Sequence, residues 1–395
     1  MGAAPPAAVA ADRPRPLVAH ILFRFDYGGL ENGIINLVNR LPSGVCDHAI
    51  IALTEATAFR ERISRPGVQV HALGKRSGKD PGAYLRLWRL LRRLRPDIVH
   101  TRNIGTLDCA LVAWLAGVPV RIHGEHGWDV HDPDGTNPRY LRIRRILGHL
   151  VSRFVTVSRD LAEWLVHSVG IPPGKVQQIC NGVDTGRFAP RADGGRECLP
   201  AEYFPDDCIV VGTVSRLTAI KDPLNLVRAF IEVRPVLVAE GHDLRLAVIG
   251  DGPLRGEVEE ALAAAGMQDH AWVAGSRDDI PGLLRDFDIF VLGSLREGIS
   301  NTVLEAMASG LPVIASATGG NLELVDPGAS GELVPPGDVA ALGRALCAYA
   351  RDARRRSAHG EAGRRRVVEG FSLDRMVDEY ARLYQQCCTQ AGRSR

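Results

Sequence analysis

Two carboxylates that could act together, Glu297 and Glu305, stand eight residues apart in the segment REGISNTVLEAMASG. The apolar run DIFVL that precedes this segment is typical of a buried parallel strand, and the residues after Ser300 have the composition of a helix. The spacing predicts Glu297 on the loop at the carboxyl end of the strand and Glu305 on the second turn of the helix. Both acids can then face one crevice, at the edge where doubly wound sheets bind their ligands.

The start of that helix, predicted over Asn301–Ala308, could also bind an anion. Ser300 or Asn301 can cap it, and the amides from Ile299 through Thr302 would then lie at the positive end of the helix dipole. The ordinary interpretation is that an acid near a helix start complements the dipole and that a glutamate on a helix is solvated. This segment taken alone is compatible with both interpretations, so the other motifs of the chain are needed to distinguish them.

Length and composition indicate a globular protein of two domains. At 395 residues the chain exceeds one ordinary core, and 45% hydrophobic with 24% charged residues is typical of soluble proteins. The eight cysteines show no metal-ligand spacing and, without a secretory signal pattern, favour a reducing cytoplasm. No apolar run approaches the ~20 residues of a membrane-spanning helix. The opening MGAAPPAAVAADRPRP is interpreted as a disordered leader.

The net charge of +2 hides an asymmetry between the two halves. Residues 1–190 hold 25 Lys and Arg against 16 Asp and Glu, whereas residues 191–395 hold 23 against 30. Much of the basic excess lies in YLRLWRLLRRLR (84–95) and RYLRIRRILGHLVSRF (139–154). An amphipathic helix with a solvated basic face is the ordinary interpretation of the first segment. The alternative is a peripheral membrane surface, with arginines on anionic lipid headgroups and Trp88 at their level.

Strand and helix patterns alternate in both halves, which indicates two Rossmann-like domains with mainly parallel sheets and a crevice between them. In the opening unit, LVAHILF is followed by the loop RFDYGGL, so Gly28 and Gly29 would allow a close backbone approach at a helix start. The turn-rich stretch RADGGRECLPAEYFP is the candidate linker. The expected divisions are a leader at 1–16, an N-terminal domain at 17–190, a linker at 191–206, a C-terminal domain at 207–371 and a terminal helix at 372–388.

No metal site is predicted. Asp132-Pro133-Asp134 has the form of a DxD metal–diphosphate motif, but the proline and the lack of a preceding strand favour a turn. His123, Glu125 and His126 do not have a known zinc spacing.

The motifs of the second half, taken in order, resemble those of retaining glycosyltransferases of family 4, which have the GT-B fold. They are VGTVSRLTAIKD (211–222), LAVIGDGPLRGEVE (246–259), VAGSRDDIPGLLRDFDIFVLGS (273–294) and EGISNTVLE (297–305). NGVDTGRF, GGLE and EHG match the same family, so the resemblance runs from about Leu17 to Tyr384. It implies two Rossmann-like domains facing each other across a crevice, with the C-terminal helix crossing back to the N-terminal domain. The N-terminal half is also similar to sugar transferases of exopolysaccharide loci associated with PEP-CTERM sorting.

The resemblance implies a UDP- or GDP-linked sugar as donor, a glycan or lipid-linked hydroxyl as acceptor, and no metal, cofactor or nucleic acid. Arg216 and Lys221 match the family's pyrophosphate ligands, whose positive charge stabilises the leaving group. Glu305 would bind the ribose, and Glu297 the hydroxyls of the donor sugar near its anomeric carbon. His126 matches the histidine that contacts the donor sugar or its phosphate.

Further residues complete the implied site. Gly28 and Gly29 would line the acceptor side beneath the diphosphate, and Arg102 and Asn103 are acceptor-side candidates. Gly250 and Gly252 would admit the nucleotide to the backbone, and Arg277 lies where relatives hold the base. Together with Arg216 and Lys221, the amides of Ile299, Ser300, Asn301 and Thr302 would replace a divalent metal.

Two departures from the family pattern put the sugar specificity in doubt. Asp222 follows Lys221 where relatives commonly have Gly or Lys, and Ile299-Ser300 stand where relatives commonly have an aromatic residue and Gly. Two other functions fit the same architecture: a non-hydrolysing nucleotide-sugar epimerase and a catalytically silent nucleotide-sugar-binding subunit. The presence of Arg216 and Lys221 together with the two glutamates favours the transferase.

Overall fold

The computed structural model describes residues 15–129, 132–192 and 194–392, and it divides the chain into two compact α/β units. Unit 1 runs to Cys180 and includes the segment from Asp374, and unit 2 comprises Asn181–Leu373. The predicted leader lies outside the described residues except for its last two positions. The prediction of an α/β protein with two Rossmann-like units is confirmed.

In the described part of unit 1, seven parallel strands form one sheet in the order β3-β2-β1-β4-β5-β6-β7. The strands are β1 (Leu17–Leu22), β2 (Asp47–Ala52), β3 (Gln69–Ala72), β4 (Ile98–Arg102), β5 (Val120–Glu125), β6 (Arg153–Thr156) and β7 (Val176–Gln178). The helices are α1 (Gly29–Arg40), α2 (Pro81–Leu94), α3 (Ile104–Leu107), α4 (Cys109–Leu115), α5 (Pro138–Gly148) and α6 (Arg159–Trp164). The strand order reverses between β1 and β4, which makes the carboxyl ends of these two strands the switch point of the sheet.

Unit 2 has a six-stranded parallel sheet among its described residues, in the order β10-β9-β8-β11-β12-β13. The strands are β8 (Ile209–Val214), β9 (Leu244–Ile249), β10 (Ala271–Gly275), β11 (Ile289–Leu292), β12 (Val313–Ser316) and β13 (Gly331–Val334). The helices are α7 (Pro223–Ala239), α8 (Arg255–Ala264), α9 (Ile280–Asp286), α10 (Asn301–Ala308), α11 (Asn321–Leu324), α12 (Val339–Arg351) and α13 (Ala353–Gly370). Here the switch point lies between β8 and β11.

Single turns and one short π-helix join these elements. They are Ala58–Arg62, Leu165–Val169, Pro173–Lys175, Ala219–Lys221 and Gln268–His270. The Leu165–Val169 segment is the π-helix, and it continues directly from α6.

Helix α2 shows how the sequence produces these elements. Asp80 caps its first turn by accepting from the amide of Ala83, and Pro81 supplies a fixed backbone angle at the first helical position. Its apolar stripe is buried against β1, β2 and β4, and each such leucine contributes roughly 1.5–3 kcal/mol. The helix ends where Arg95 adopts a left-handed backbone conformation with φ of 45°.

The last helix, α14 (Leu373–Gln390), returns to unit 1. Its buried residues recur every three or four positions: Leu373, Met376, Val377, Tyr380, Leu383, Tyr384, Cys387 and Cys388. The Tyr384 hydroxyl shares a hydrogen bond of 3.0 Å with Nδ1 of His100 in the middle of β4. The described residues contain no helix that is both long and apolar enough to cross a membrane.

The segment 191–206, expected to be a linker, is packed against unit 2. Arg196 pairs with Asp288 at 2.8 Å, and Oδ2 of Asp286 accepts hydrogen bonds from the amides of Glu197 and Cys198. Turn-rich composition shows the absence of regular structure, but it does not reveal such side-chain contacts. The α5 helix was not predicted, since its sequence drew attention only for its arginines.

Candidate active site

The switch point of unit 2 brings together two loops that the sequence placed far apart. The loop after β8 ends at Lys221, and the loop after β11 contains Glu297. Because β8 and β11 are parallel neighbours, both loops leave the same edge of the sheet. The strand order of the sheet therefore brings Lys221 and Glu297 together.

Lys221 and Glu297 form a close ion pair. The Lys221 ammonium donates to Oε1 of Glu297 at 2.5 Å, and the Ser294 hydroxyl donates to the same oxygen at 2.6 Å. Glu297 is 6% exposed and the lysine side chain 20% exposed, so water competes little for the pair. Both hydrogen bonds end on Oε1, which leaves Oε2 able to accept from another donor.

Two glycines that the sequence analysis missed hold the Glu297 loop in place. Gly319 has φ of 50°, and a Cβ there would collide with the carbonyl oxygen of Glu297. A Cβ at Gly320 would collide with the carbonyl oxygen of Gly298, to which the Gly320 amide donates a hydrogen bond of 2.9 Å. In the sequence, these glycines could have been found as an adjacent pair in the loop after β12, at the same edge of the sheet.

Helix α10 has the predicted bounds and the predicted cap. The Ser300 hydroxyl accepts from the amide of Val303 at 3.3 Å, which leaves the first amides of the helix directed away from its own backbone. Asn181, from the NGVD motif, donates to the side-chain oxygen of Asn301 at 2.8 Å. Ile299 is buried and anchors the turn before the cap.

Glu305 lies on α10, two turns after the ion pair in sequence, and is partly buried. Burial raises the pKa of its carboxyl group to about 7, and the positive charge of Arg187 opposes this shift in part. Near neutral pH this side chain can therefore be either a hydrogen-bond donor or a carboxylate acceptor.

Arg216 follows β8 and is exposed, so its guanidinium can reach a ligand at this edge without breaking an internal contact. Gly250 and Gly252 have a structural reason for being glycine. A Cβ at Gly250 would collide with the carbonyl oxygen of Ser215, and one at Gly252 with that of Leu217. These glycines let the loop after β9 pack on the loop after β8, and their contact with a nucleotide stays a prediction.

Arg277 lies apart from the ion pair in the sheet order. It follows β10, the edge strand, which is separated from β8 by β9. Its guanidinium makes two bonds to Asp279, at 2.9 and 2.6 Å, and lies 5.7 Å from the centroid of the Trp272 ring. The proposed contact with a nucleobase would have to form beside this pair.

Asn225, in the first turn of α7, is a polar residue that the sequence analysis did not single out. It is 2% exposed, and neither side-chain polar atom has a hydrogen-bond partner among the described residues. It lies against Gly293, the residue after β11. In the sequence, Asn225 could have been noticed as a single polar residue on the otherwise apolar inner face of PLNLV.

In unit 1, the predicted glycines lie at the end of β1. Gly28 is the extended residue before α1, and a Cβ there would collide with the carboxylate of Glu31. The same loop carries two aromatic side chains that the sequence analysis missed, Phe23 at 51% and Tyr27 at 68% exposure. Exposed aromatic rings beside a switch point provide a surface on which a sugar or lipid can pack.

His126 follows β5, and its position is fixed through the neighbouring loop. Its amide donates to the Asn103 side chain at 2.8 Å, while Asn103 itself has φ of 55°. Burial, aided by the charge of Arg102, lowers the pKa of His126 to about 3, so the ring is neutral near pH 7. Its Nε2 is buried next to Gly124 and has no hydrogen-bond partner among the described residues.

Arg102, predicted on the acceptor side, is instead buried and 3% exposed. It donates to the carbonyl of His100 at 3.1 Å and to Nδ1 of His20 at 3.2 Å. Burial, followed by the charge of Arg102, lowers the pKa of both His20 and His100 well below the ordinary value. Arg102 is thus an internal cation among neutral rings and joins β1 to β4.

A second buried group supports the end of β5. Arg144 donates to Glu125 at 2.7 Å, and His123 lies 3.3 Å from the same carboxylate oxygen. Burial alone would raise the pKa of Glu125, but Arg144 and His123 hold it at about 2. Asp132, from the DxD-like sequence, accepts from the amides of Thr136 and Asn137 and organises a turn. Among the described residues no group of His, Cys, Asp and Glu is arranged to hold a metal ion.

The fold identifies the structural class of the protein. The crystal structure of Anabaena Alr3699/HepE in complex with UDP and glucose matches with a TM-score of 0.78 at 18% identity, over 94% of this chain and 100% of that chain. With two parallel-sheet units of the kind described above, the molecule has the GT-B fold.

Two family models then match consecutive parts of the chain. "Glycosyltransferase Family 4" matches residues 27–187, and "Glycosyl transferases group 1" matches residues 208–352. The chain is 28% identical over 312 residues to the Escherichia coli UDP-Gal:alpha-D-GlcNAc-diphosphoundecaprenol alpha-1,3-galactosyltransferase, covering 78% of this chain and 79% of the relative. It is 27% identical over 341 residues to the GDP-mannose-dependent alpha-mannosyltransferase of Mycobacterium tuberculosis, covering 78% and 81%. The chain is therefore a glycosyltransferase, built from a family 4 domain and a group 1 domain.

Proposed function

We propose that this glycosyltransferase moves a sugar, with retention at the anomeric carbon, from a nucleoside diphosphate sugar to a hydroxyl of a glycan or lipid-linked acceptor. The donor binds at the switch point of unit 2, and unit 1 contributes the acceptor side. The reaction belongs to exopolysaccharide or cell-envelope glycan synthesis, in the cytoplasm at the inner face of the membrane. The narrower resemblance to transferases of PEP-CTERM-associated loci remains a prediction within this proposal.

The observation that carries the proposal is the Lys221–Glu297 pair, 2.5 Å long, at the switch point of unit 2. A buried carboxylate holds the lysine in place and uses only one of its three ammonium donors. The remaining donors, the exposed Arg216 and the amides at the start of α10 suit a diphosphate. A nucleoside diphosphate has that charge distribution. UDP is bound in the similar structure of Anabaena Alr3699/HepE, and two relatives are named for UDP-Gal and GDP-mannose.

The chemistry follows from these charges. The bond between the anomeric carbon and the β-phosphate oxygen breaks, and negative charge develops on the diphosphate. Lys221, Arg216 and the α10 dipole stabilise that charge, so the proposed reaction is independent of a divalent metal. The acceptor oxygen bonds to the same face of the carbon, and its proton passes to the departing phosphate oxygen. Retention then needs no covalent sugar–enzyme intermediate.

The glutamates orient the donor in this proposal. Oε2 of Glu297 accepts from hydroxyls of the donor sugar near the reacting carbon, while Oε1 continues to hold Lys221 and Ser294. Glu305 binds the ribose hydroxyls. The neutral ring of His126 contacts the sugar or its phosphate as a hydrogen-bonding group rather than as a cation.

The acceptor is assigned by chemistry and by likeness. The E. coli relative is named for a GlcNAc-diphosphoundecaprenol acceptor, which is a sugar on a lipid diphosphate. The exposed aromatic rings of Phe23 and Tyr27 at the switch point of unit 1 suit a sugar acceptor of this kind.

A donor panel tests the proposal. UDP- and GDP-sugars are incubated with and without extracted lipid acceptors, nucleoside diphosphate release is measured, and the product is identified by mass spectrometry. Release that requires an acceptor, yields a glycosylated product and persists in EDTA is the expected result. Free nucleoside diphosphate without a glycosylated product would indicate an epimerase instead, and nucleotide binding without turnover would indicate a silent subunit.

A further inference from the structure

Exposed apolar side chains are concentrated on two neighbouring helices of unit 1. Among the described residues, five of the thirteen large hydrophobic side chains that are exposed lie on α2 and α4. They are Leu85 and Trp88 on α2 and Leu111, Trp114 and Leu115 on α4. Trp114 is 51% and Leu115 59% exposed, which is costly for side chains that nothing covers.

The two helices form one continuous surface, which we call the α2–α4 face. Nε1 of Trp88 donates to the carbonyl of Leu115 at 3.4 Å, and the Tyr84 hydroxyl donates to Asp108 just before α4. At 100° per residue, Trp88 lies on the side of α2 nearest α4, whereas Leu85 lies further round the helix, between Arg92 and Arg89. Trp88 therefore adjoins the exposed apolar residues of α4.

The opposite margin of the α2–α4 face is basic. Arg89 and Arg93 lie on the side of α2 away from α4, and Arg92 lies between Trp88 and Leu85. None of the three arginines forms an ion pair with a described residue. Neither α2 nor α4 contains an acidic residue. The only acids at the helix starts are engaged, Asp80 with Arg86 and Asp108 with Tyr84.

A groove extends this basic margin to the edge of the sheet. It has a volume of about 590 Å³ between α2 and the edge strand β3, and Arg86, Arg89 and Arg93 line it together with His71. Burial and the charge of Arg93 lower the pKa of His71, so the arginines supply the positive charge of the groove near neutral pH. The groove is suited to a phosphate group.

We propose that the α2–α4 face docks on a membrane that contains anionic phospholipid, with the apolar residues at the acyl boundary and the arginines on the headgroups. Protein surfaces that bind at the interface of a bilayer typically combine tryptophan and leucine with unpaired arginines. A second copy of the chain fits less well, because a two-fold contact would bring the arginines of both copies together with no acid to pair them. A purely solvated basic helix would not explain the exposed tryptophans.

This inference deepens the proposed function, since docking would bring unit 1 to a lipid-linked acceptor. The partner of the α2–α4 face is the lipid surface itself, and its binding does not require a donor. The two proposals can therefore fail separately.

Flotation of the full chain with vesicles tests the docking. Vesicles of phosphatidylglycerol and phosphatidylcholine should bind the protein, whereas pure phosphatidylcholine should bind it weakly and salt should release it. Each arginine near an anionic surface contributes about fivefold to partitioning, so Arg89→Ala/Arg93→Ala is expected to weaken binding by roughly 25-fold. Trp114→Ser/Leu115→Ser should also weaken it, through lost apolar insertion.

Matched controls remove the same groups from unit 2. Arg354→Ala/Arg365→Ala deletes two exposed arginines of α13, and Val236→Ser/Val238→Ser deletes two exposed apolar residues of α7. Both should bind vesicles as the wild type does, and thermal unfolding checks that all variants are folded. Equal binding by every variant, or no binding by the wild type at low salt, would overturn the proposal. So would a wild-type dimer that Trp114→Ser/Leu115→Ser dissociates, since the face would then be an interface between copies.

Calorimetric binding of UDP and GDP separates this result from the fate of the donor site. A variant of the α2–α4 face that loses vesicle binding but still binds nucleotide would assign membrane binding to this face. That result would be consistent with the proposed function. Vesicle binding by a wild-type protein that binds neither nucleotide would support docking and contradict the proposed donor.

Discussion

Glu297 accepts hydrogen bonds from Lys221 and Ser294, and both end on the same carboxylate oxygen. Because the carboxylate is buried, removal of the lysine would leave a buried charge with only a neutral donor beside it. In the proposed function, the same ammonium would also bind the diphosphate of the donor.

Lys221→Ala is expected to lower kcat/KM by about 10²-fold or more, because an ammonium directed at the developing diphosphate charge is lost. Acceptor-dependent release of nucleoside diphosphate measures the effect. Lys79→Ala, which removes an exposed lysine of unit 1, is the control and should retain wild-type rates. A folded Lys221→Ala protein with an unchanged kcat would exclude Lys221 from the proposed role.

The partly buried carboxyl of Glu305 gives a prediction about the pH dependence of stability. The unfolded chain releases this proton near the ordinary pKa of 4.5, whereas burial raises the pKa in the folded protein to about 7. The folded state therefore loses stability as pH rises from 4.5 to 7, and the loss is complete above 7. Glu305→Gln removes the charge and should stabilise the ligand-free protein at pH 8 by on the order of 1–3 kcal/mol, with little change near pH 4.5.

Thermal unfolding at the two pH values measures this difference. Glu260→Gln, at an exposed position of α8, is the control and should not shift the midpoint at either pH. An equal stabilisation by Glu305→Gln at both pH values would show that the effect is not due to ionisation.

At the scale of elements, local patterns predicted the framework well. The bounds of α10 and its Ser300 cap follow from a capping residue before an apolar periodic segment, and both are local properties. The pairing of Lys221 with Glu297 is not local: it requires β8 and β11 to be neighbours, which only the strand order supplies. The family resemblance had grouped these residues without giving a contact between them.

Other features could not be predicted because they depend on neighbours that are distant in sequence. Arg102 looked like a surface candidate at a strand end, yet α14 and the histidines of β1 and β4 enclose it. Gly250 and Gly252 were assigned to the nucleotide, whereas a Cβ at either would first meet the backbone of the loop after β8. Gly319 and Gly320 were overlooked because their partner is the Glu297 loop, on a different element.

Gly320→Ala tests the contact between these two loops. The new methyl group would collide with the carbonyl oxygen of Gly298, so the Glu297 loop must move or the hydrogen bond from the Gly320 amide must lengthen. We expect a loss of roughly 1–3 kcal/mol in stability and a larger relative fall in turnover than in nucleotide binding. Chemical denaturation and steady-state kinetics measure the two effects.

The control for that substitution is Gly256→Ala. Gly256 lies in α8 with nothing within 4 Å of a Cβ, and alanine is the better helix former by roughly 0.5–1 kcal/mol. This variant should be as active as the wild type and slightly more stable. A Gly320→Ala protein that behaves in the same way would show that the loop contact is unimportant.

At the scale of the whole molecule, the two units differ in how the chain builds them. Unit 2 is one continuous segment, and its ends are tied together where the amide of Leu373 donates to the carbonyl of Val183 at 2.9 Å. Unit 1 is made of two segments, because α14 supplies part of its core. The chain therefore passes between the units twice, and only unit 1 depends on both ends of the described chain.

This difference predicts the behaviour of fragments. Residues 181–373 contain a complete sheet, a buried core and the Lys221–Glu297 pair, so this fragment should unfold in one cooperative transition and bind UDP or GDP. Residues 1–180 lack α14 and would expose the surface that Tyr380, Leu383 and Tyr384 cover, including the partner of the Tyr384 hydroxyl on His100. At roughly 1.5–3 kcal/mol for each large apolar side chain, that loss is comparable to the whole stability of a domain.

We therefore expect the 1–180 fragment to be unfolded or aggregated, and its stability to return when residues 374–392 are joined to it through a flexible linker. Circular dichroism and thermal unfolding of the three fragments, with calorimetry for nucleotide binding, measure these outcomes. A stable 1–180 fragment would mean that α14 is dispensable for the core of unit 1. A folded 181–373 fragment that binds neither nucleotide would mean that donor binding needs residues outside unit 2, since its sheet and ion pair would be intact.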